Sequence, residues 1–85
     1  MTTKKECELM IELVNSTFEK HTANKRITII SQSSVYNVNK GIAWYNKDES
    51  KPCWDSVSYN DKEIFRNWTE CKKYLQGVFD TMVKL

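Results

Sequence analysis

The stretch RITIISQSSVYNVNKGIAWYN, residues 26–46, decides the fold class because it contains two runs that are typical of neighbouring β-strands. Apolar and polar side chains of β-type residues follow one another along Arg26–Ser31, and a second alternating run follows over Ile42–Asn46. Between these runs, Asn39-Lys40-Gly41 predicts a tight hairpin turn, in which Gly41 would adopt a positive φ. The stretch therefore predicts an antiparallel hairpin.

The side chains of the second strand divide between the two faces of the sheet. Ile42 and Trp44 are expected on one face, and Ala43 and Tyr45 on the other. The sequence leaves open which face the helices cover, and therefore whether Trp44 or Tyr45 is the exposed aromatic residue.

Other segments could add strands to this hairpin. Val35–Val38 either extends the first strand or begins another, and Lys47–Pro52 is expected to be a charged loop. Trp54–Tyr59 alternates and is expected to be a strand that ends at a turn, Asn60-Asp61. Glu63–Arg66 is expected to be a short strand or an extended connection.

A helix is predicted on each side of the sheet segments. Thr3-Lys4-Lys5-Glu6 has the pattern of a capping box, and apolar residues recur at helical spacing from Cys7 to Phe18. This first helix is expected to end near Lys20-His21.

The second helix is predicted to begin at Asn67-Trp68-Thr69-Glu70, which places an N-cap side chain three residues before an acidic one. Gly77 either lies inside a helix that continues through Met82 or ends the helix and leaves Val78–Leu85 as a strand. The long helix is preferred because the apolar spacing persists through Met82.

Together these segments predict one α+β domain over residues 1–85. Its order is an N-terminal helix, a three- to four-stranded antiparallel sheet and a C-terminal helix. Both helices are expected to cover one face of the sheet, and the other face would meet solvent or a partner.

The net charge and the arrangement of potentially catalytic or metal-binding residues favour a binding protein over an enzyme. The net charge is only +2, and the basic excess lies after residue 22. His21 is the only histidine, and it has neither a nucleophile nor a carboxylate at a fixed spacing from it. Cys7, Cys53 and Cys71 lack metal-ligand spacing. We therefore expect no catalytic residue, no metal and no cofactor.

The sequence also predicts the cellular compartment of the protein. Three widely spaced cysteines fit free thiols in a reducing cytoplasm. Neither a signal peptide nor a membrane-spanning segment is expected, so no membrane partner is predicted.

Basic and aromatic residues are interleaved around the second strand and at the entry to each neighbouring element. Lys and Arg neutralise phosphates, and exposed aromatic rings stack on unpaired bases. The predicted RNA-binding residues are Lys25, Arg26, Lys40, Trp44, Tyr45, Lys47, Lys51, Arg66, Lys72 and Lys73. The same surface could instead dock a protein, either a different protein or a second copy of the chain.

Two local resemblances accompany these features. Ile64–Lys72 resembles the Trp-x-Glu-Cys signature of the hybrid-binding domain of ribonuclease H. The glycine-rich segment that leads into the strand in that family is absent, so the resemblance does not imply the fold of that domain. The helix, three strands, helix order is similar to that of double-stranded RNA-binding domains, whose Lys-Lys-x-Ala-Lys helix start is only partly matched by Lys72-Lys73.

In length, residue usage and free cysteines, the whole chain resembles the small early proteins of T4-like phages. Among these it is most similar to the TifA family of toxin-inhibition factors, which bind RNA and counteract the endoribonuclease of the ToxIN type III toxin–antitoxin system. Tyr59–Met82 also resembles the dGTPase inhibitor of T7-like phages. The first resemblance implies a phage anti-defence protein that binds RNA in the host cytoplasm, and the second implies a protein-only inhibitor of a host enzyme.

Overall fold

The computed structural model describes residues 2–33, 35 and 38–83, and its elements follow the predicted order of helix, antiparallel sheet, helix. The elements are α1 (Lys4–Lys20), β1 (Lys25–Ser33), β2 (Val38–Asn46), β3 (Lys62–Phe65) and α2 (Trp68–Val83). The three strands form one antiparallel sheet in the order β1-β2-β3. The α+β prediction is therefore confirmed, with three strands among the described residues.

Helix α1 begins at the predicted capping box. The Thr3 hydroxyl accepts a hydrogen bond from the Glu6 N–H at 3.3 Å, and the Glu6 carboxylate accepts one from the Thr3 N–H at 3.2 Å. These two bonds satisfy backbone donors that a helix N-terminus would otherwise leave free. The helix then buries Cys7, Ile11 and Phe18 on one stripe, together with Val14.

The register of the sheet determines which side chains meet the helices. Ile27 lies opposite Trp44, and Ile29 lies opposite Ile42, so all four share one face. Ile27 and Ile42 are buried in the core with residues of both helices. The predicted division of the second strand is confirmed: Trp44 lies on the helix-covered face, and Tyr45 lies on the other.

The predicted turn at Asn39-Lys40-Gly41 is wrong, because these residues lie inside β2 and Gly41 does not have a positive φ. All three pair with β1, and the chain reverses instead between Ser33 and Val38. Of the predicted Val35–Val38 strand, Val35 is 94% exposed and Val38 begins β2, whereas the residues between them lie outside the described part. Gly41 has a packing role, since a Cβ there would lie only 2.9 Å from the Glu63 carbonyl oxygen of β3.

The predicted strand Trp54–Tyr59 is also wrong, because this segment forms two 3-10 turns, Trp54–Ser56 and Tyr59–Asp61. The Ser56 hydroxyl bonds to both the N–H and the carbonyl of Cys53, and such local side-chain bonds compete with strand pairing. The Trp54 ring lies against Gly41 on the sheet face opposite the helices, with the Lys62 ammonium 4.3 Å from the ring centroid.

Helix α2 begins at the predicted N-cap and continues through Gly77. The Asn67 side chain accepts a hydrogen bond from the Glu70 N–H at 3.0 Å, and the Glu70 carboxylate accepts one from the Arg66 N–H at 2.8 Å. The preference for a long helix over a final strand is confirmed as far as Val83, while residues 84 and 85 lie outside the described part.

The core lies between the two helices and the sheet, and two cysteines meet in it. Cys7 and Cys71 are both fully buried, and the Cys7 thiol donates to the Trp68 carbonyl at 3.3 Å. These contacts join the N-terminal ends of both helices, whereas Phe18 and Met82, near the C-terminal ends, line a common groove. The two helices therefore run side by side in the same direction.

The buried thiols should make the protein sensitive to alkaline pH. Burial raises the pKa of Cys7 above its ordinary value of 9.0, and raises that of Cys71 to about 12. The unfolded chain releases these protons at a lower pH than the folded protein does. The stability that the protonated thiols contribute is therefore fully present below pH 9, and it is lost as the pH rises towards the pKa of Cys71 in the folded protein, about 12. For Cys71 we expect the free energy of unfolding to fall by roughly 1 kcal/mol per pH unit in this range, and Cys7 adds a loss in the same direction.

Urea titrations at a series of pH values above 8 would measure this slope. The Cys71→Ala variant should be less stable at neutral pH but should lose stability less steeply as the pH rises. Equal slopes in the two proteins would contradict the expectation.

Candidate functional site

An open groove lies where the ends of both helices meet the middle strand, and we call it the Trp44 groove. Its volume is about 550 Å³. It is lined by Phe18, Trp44, Lys73, Tyr74, Gly77, Val78, Thr81 and Met82. The lining is mostly apolar, and Lys73 is its one charged residue among the residues that the structure describes.

Trp44 is held in a fixed orientation although its side chain is 40% exposed. Its indole N–H donates a hydrogen bond to the Tyr74 hydroxyl at 3.1 Å. Its ring also packs edge-on against Phe18, with the centroids 5.7 Å apart and the planes at 70°. A tryptophan whose N–H is already bonded offers its remaining exposed ring surface for stacking or apolar contact.

The α2 wall of the Trp44 groove is lower at Gly77, because this residue has no side chain. It lies in the interior of α2, yet a Cβ placed there would meet nothing within 4 Å. Lys73, Gly77 and Thr81 follow one another at intervals of four residues, so they lie along one flank of the helix. The absence of a side chain at Gly77 therefore widens the groove in the middle of this flank.

Three of the predicted basic residues lie at this end of the molecule. Lys73 lines the Trp44 groove directly. Lys25 is two residues before Ile27, the partner of Trp44, so its side chain lies on the same face about 7 Å further along the strand. Lys47 follows β2, and its N–H bonds to the carbonyl of Asn24 at 3.0 Å. All three side chains are exposed.

Other predicted residues lie on different surfaces. Tyr45 and Arg26 face each other on the opposite side of the sheet, and the guanidinium of Arg26 bonds to the carbonyls of Ala23 and Lys25. Lys40 is partly buried, with its ammonium 5.6 Å from the centroid of the Trp68 ring.

The remaining predicted residues are exposed but also lie apart from the Trp44 groove. Lys72 points towards α1, where its ammonium is 3.9 Å from the Glu6 carboxylate, although Lys73 beside it lines the groove. Lys51 lies by the outer edge of β1, and Arg66 precedes α2. The ten predicted residues therefore do not form one continuous surface.

Sequence reasoning missed Tyr74, Gly77 and Thr81 as parts of the site. The four-residue spacing of Lys73, Gly77 and Thr81 was a usable signal, because it places a gap between two polar residues on one helix flank. Gly77 was instead considered only as a weakness or an end of the helix.

The described residues offer little for a metal or a membrane, and one of their thiols is exposed. Among the described residues, no three or more His, Cys, Asp or Glu side chains are grouped so that they could hold a metal ion. No described helix is both long enough and apolar enough to cross a membrane. Cys53 is the exposed one of the three free thiols, and hydrogen bonding from Ser56 lowers its pKa.

Comparison with known proteins does not assign the chain to a family. No protein-family model matches it, and neither the curated proteins nor the solved structures contain a match. The resemblance to phage toxin-inhibition factors therefore stays a prediction.

Proposed function

We propose that this protein binds single-stranded RNA through the Trp44 groove and thereby neutralises an RNA-cleaving host toxin. RNA binding is proposed because the exposed ring of Trp44 and the positively charged side chain of Lys73 line the same groove. Unpaired bases stack on aromatic rings, and lysine side chains neutralise the phosphates between them.

The geometry supports a particular mode of binding. An extruded base would stack on Trp44 inside the groove, where the bond to Tyr74 keeps the ring from reorienting. Gly77 provides room for the sugar beside it. The flanking phosphates would meet Lys73 on one side and Lys25 and Lys47 at the end of the sheet. This mode tolerates many base identities, because every base has a face that stacks.

The toxin-inhibition part of the proposal rests on the resemblance to the TifA family. A co-expression assay would test this part by itself: the chain should restore growth to cells that express such an endoribonuclease, and the Trp44→Ala variant should not. Equal growth with both proteins would count against the link between the groove and toxin inhibition.

RNA binding is tested by titrating a fluorescently labelled single-stranded RNA at a low and a high salt concentration. The intact protein should bind more weakly at high salt, because phosphate contacts release counterions. Trp44→Ala should weaken binding by roughly 5- to 150-fold at both salts, since stacking is worth about 1–3 kcal/mol per base. Lys73→Ala should weaken binding and reduce the salt slope by about one.

Two matched variants control for loss of an aromatic ring or of a positive charge. Tyr59→Ala removes an aromatic side chain that is 74% exposed and remote from the groove lining, and Lys5→Ala removes an exposed charge on α1. Both variants should bind RNA as the intact protein does. Absence of binding at low salt, or equal affinity of the Trp44→Ala variant, would refute RNA binding at this groove.

The mostly apolar lining of the groove supports one alternative function, a protein-only inhibitor that docks on a host enzyme. In that case an apolar side chain of the enzyme would insert beside Trp44. A complex recovered from host lysate would survive nuclease treatment and would be lost in the Trp44→Ala variant. A complex that nuclease dissolves would favour RNA instead.

A further inference from the structure

The outer edge of β1 lacks the features that usually protect an edge strand. β1 has nine residues, and the part from Ile27 to Ser33, ITIISQS, contains neither a charged residue nor a proline. At the opposite edge, β3 has only four residues and carries Lys62 and Glu63. Natural sheets generally shorten their edges or place charges and prolines on them, because an open edge invites another strand.

Hydrogen bonds to Asn15 show which backbone groups of β1 point outward. The Ile27 N–H donates to the Asn15 side-chain oxygen at 3.0 Å, and the Asn15 amide donates to the Ile27 carbonyl at 3.1 Å. Ile27 therefore directs its backbone away from β2. In an antiparallel ladder this direction alternates, so Ile29, Ser31 and Ser33 also direct their backbone groups outward.

Beyond Ile27, the described part of the chain leaves this edge open at Ile29 and Ser31. Within residues 2–33, 35 and 38–83, the one bond at the outward groups of Ile29 and Ser31 is a long contact of 3.5 Å from the Thr28 hydroxyl to the Ile29 carbonyl. The edge lines a groove of about 340 Å³ between α1 and the loop after β2. The residues of this groove are Lys4, Glu8, Ile11, Glu12, Thr28, Ile29, Ser31 and Lys51.

We infer that β1 pairs antiparallel with β1 of a second copy, which joins two three-stranded sheets into one of six strands. Asn15 occupies the outward groups of Ile27, so the pairing begins at Ile29 and is centred on Ser31. A two-fold axis through its centre places Ser31 opposite Ser31 and Ile29 opposite Ser33. Three such pairs exchange about six backbone hydrogen bonds.

The charges beside the edge favour a second copy over a charged partner. Two lysines, Lys4 and Lys51, and two glutamates, Glu8 and Glu12, line the groove. This balanced set gives no net attraction to RNA or to a strongly acidic or basic peptide. A second copy presents the same balanced set, so it can approach without net repulsion. The dimer uses a surface separate from the Trp44 groove, and its test is independent of RNA binding.

Sedimentation equilibrium of nuclease-treated protein over a range of concentrations tests the dimer. The mass should rise from 10.0 kDa towards twice that value. Ser31→Pro removes one outward N–H and should keep the protein monomeric, since proline is tolerated on edge strands. Ser31→Val keeps the N–H and should dimerise as the intact chain does. A monomer at every concentration, or equal dimerisation of Ser31→Pro, would overturn the inference.

A cross-link tests the register and does not depend on the folding of the proline variant. In a Cys53→Ser background, Ser31→Cys should form a disulfide-linked dimer when treated with diamide. Directly paired residues have Cα atoms about 5.5 Å apart, which a disulfide can span. Thr28→Cys, on the same strand but roughly 20 Å from its copy in this register, should not cross-link. Equal yields from the two positions would overturn the pairing.

Discussion

Replacement of Leu75 by alanine should lower the free energy of unfolding by about 2–5 kcal/mol, the usual cost of emptying a well-packed leucine site. Leu75 is fully buried in the middle of α2, within the core between the helices and the sheet. A chain of 85 residues has a total stability of roughly 4–13 kcal/mol, so this one change removes a large fraction of it. Urea denaturation followed by tryptophan fluorescence would measure the loss.

Leu9→Ala is the matched control for Leu75→Ala. Leu9 is also a helical leucine, but its side chain is 57% exposed on α1. The same truncation should therefore change the stability by less than about 0.5 kcal/mol. If the two variants unfolded at similar urea concentrations, the proposed packing of α2 against the core would be wrong.

Replacement by alanine should change the stability of the protein in opposite directions at its two glycines, Gly41 and Gly77. In Gly41→Ala the new Cβ would lie 2.9 Å from the Glu63 carbonyl oxygen, so β3 must shift. The Trp54 ring, 3.4 Å from the new Cβ and in contact with Lys62 of β3, should shift with it. We expect a loss of about 1–3 kcal/mol, as for other overpacked sites. The near-ultraviolet circular dichroism of the protein should also change as Trp54 moves.

Gly77→Ala serves as the counterpart, because a Cβ at that helical position meets nothing within 4 Å. It should stabilise the protein by up to about 1 kcal/mol, the difference in helix propensity. Chemical denaturation of both variants beside the intact protein gives the two signs directly. Destabilisation by both would mean that α2 packs differently around Gly77.

Much of the fold could be predicted because its signals are local. The capping pairs at Thr3 and Asn67 act within four residues, and the alternation around Trp44 assigns side chains to faces without knowledge of the partner strand. The apolar spacing likewise outweighed Gly77, and α2 does continue past it.

The errors arose where a distant contact decides the local structure. Asn39-Lys40-Gly41 has turn residues, but β1 pairs with all three, and Gly41 leaves room for the close approach of the Glu63 carbonyl oxygen of β3. Trp54–Tyr59 alternates as a strand does, but serine hydroxyls bond to nearby groups and fold the segment into 3-10 turns.

The candidate site could be predicted only in part for the same reason. Trp44 and Lys73 are 29 positions apart, and only the docking of α2 on the sheet brings them into one groove. Tyr45 and Arg26 are near Trp44 in the sheet but lie on its other face, because neighbouring strand residues point in opposite directions.

The bond pair between Asn15 and Ile27 has a consequence for the order of folding. It joins residues only twelve positions apart, so α1 and β1 can associate after closure of a short loop. The contact between Cys7 and Trp68 joins residues 61 positions apart. Because distant contacts cost more loop entropy before they stabilise anything, we expect the first helix and hairpin to form a low-contact-order nucleus. Helix α2, and with it the Trp44 groove, would then be assembled last in refolding.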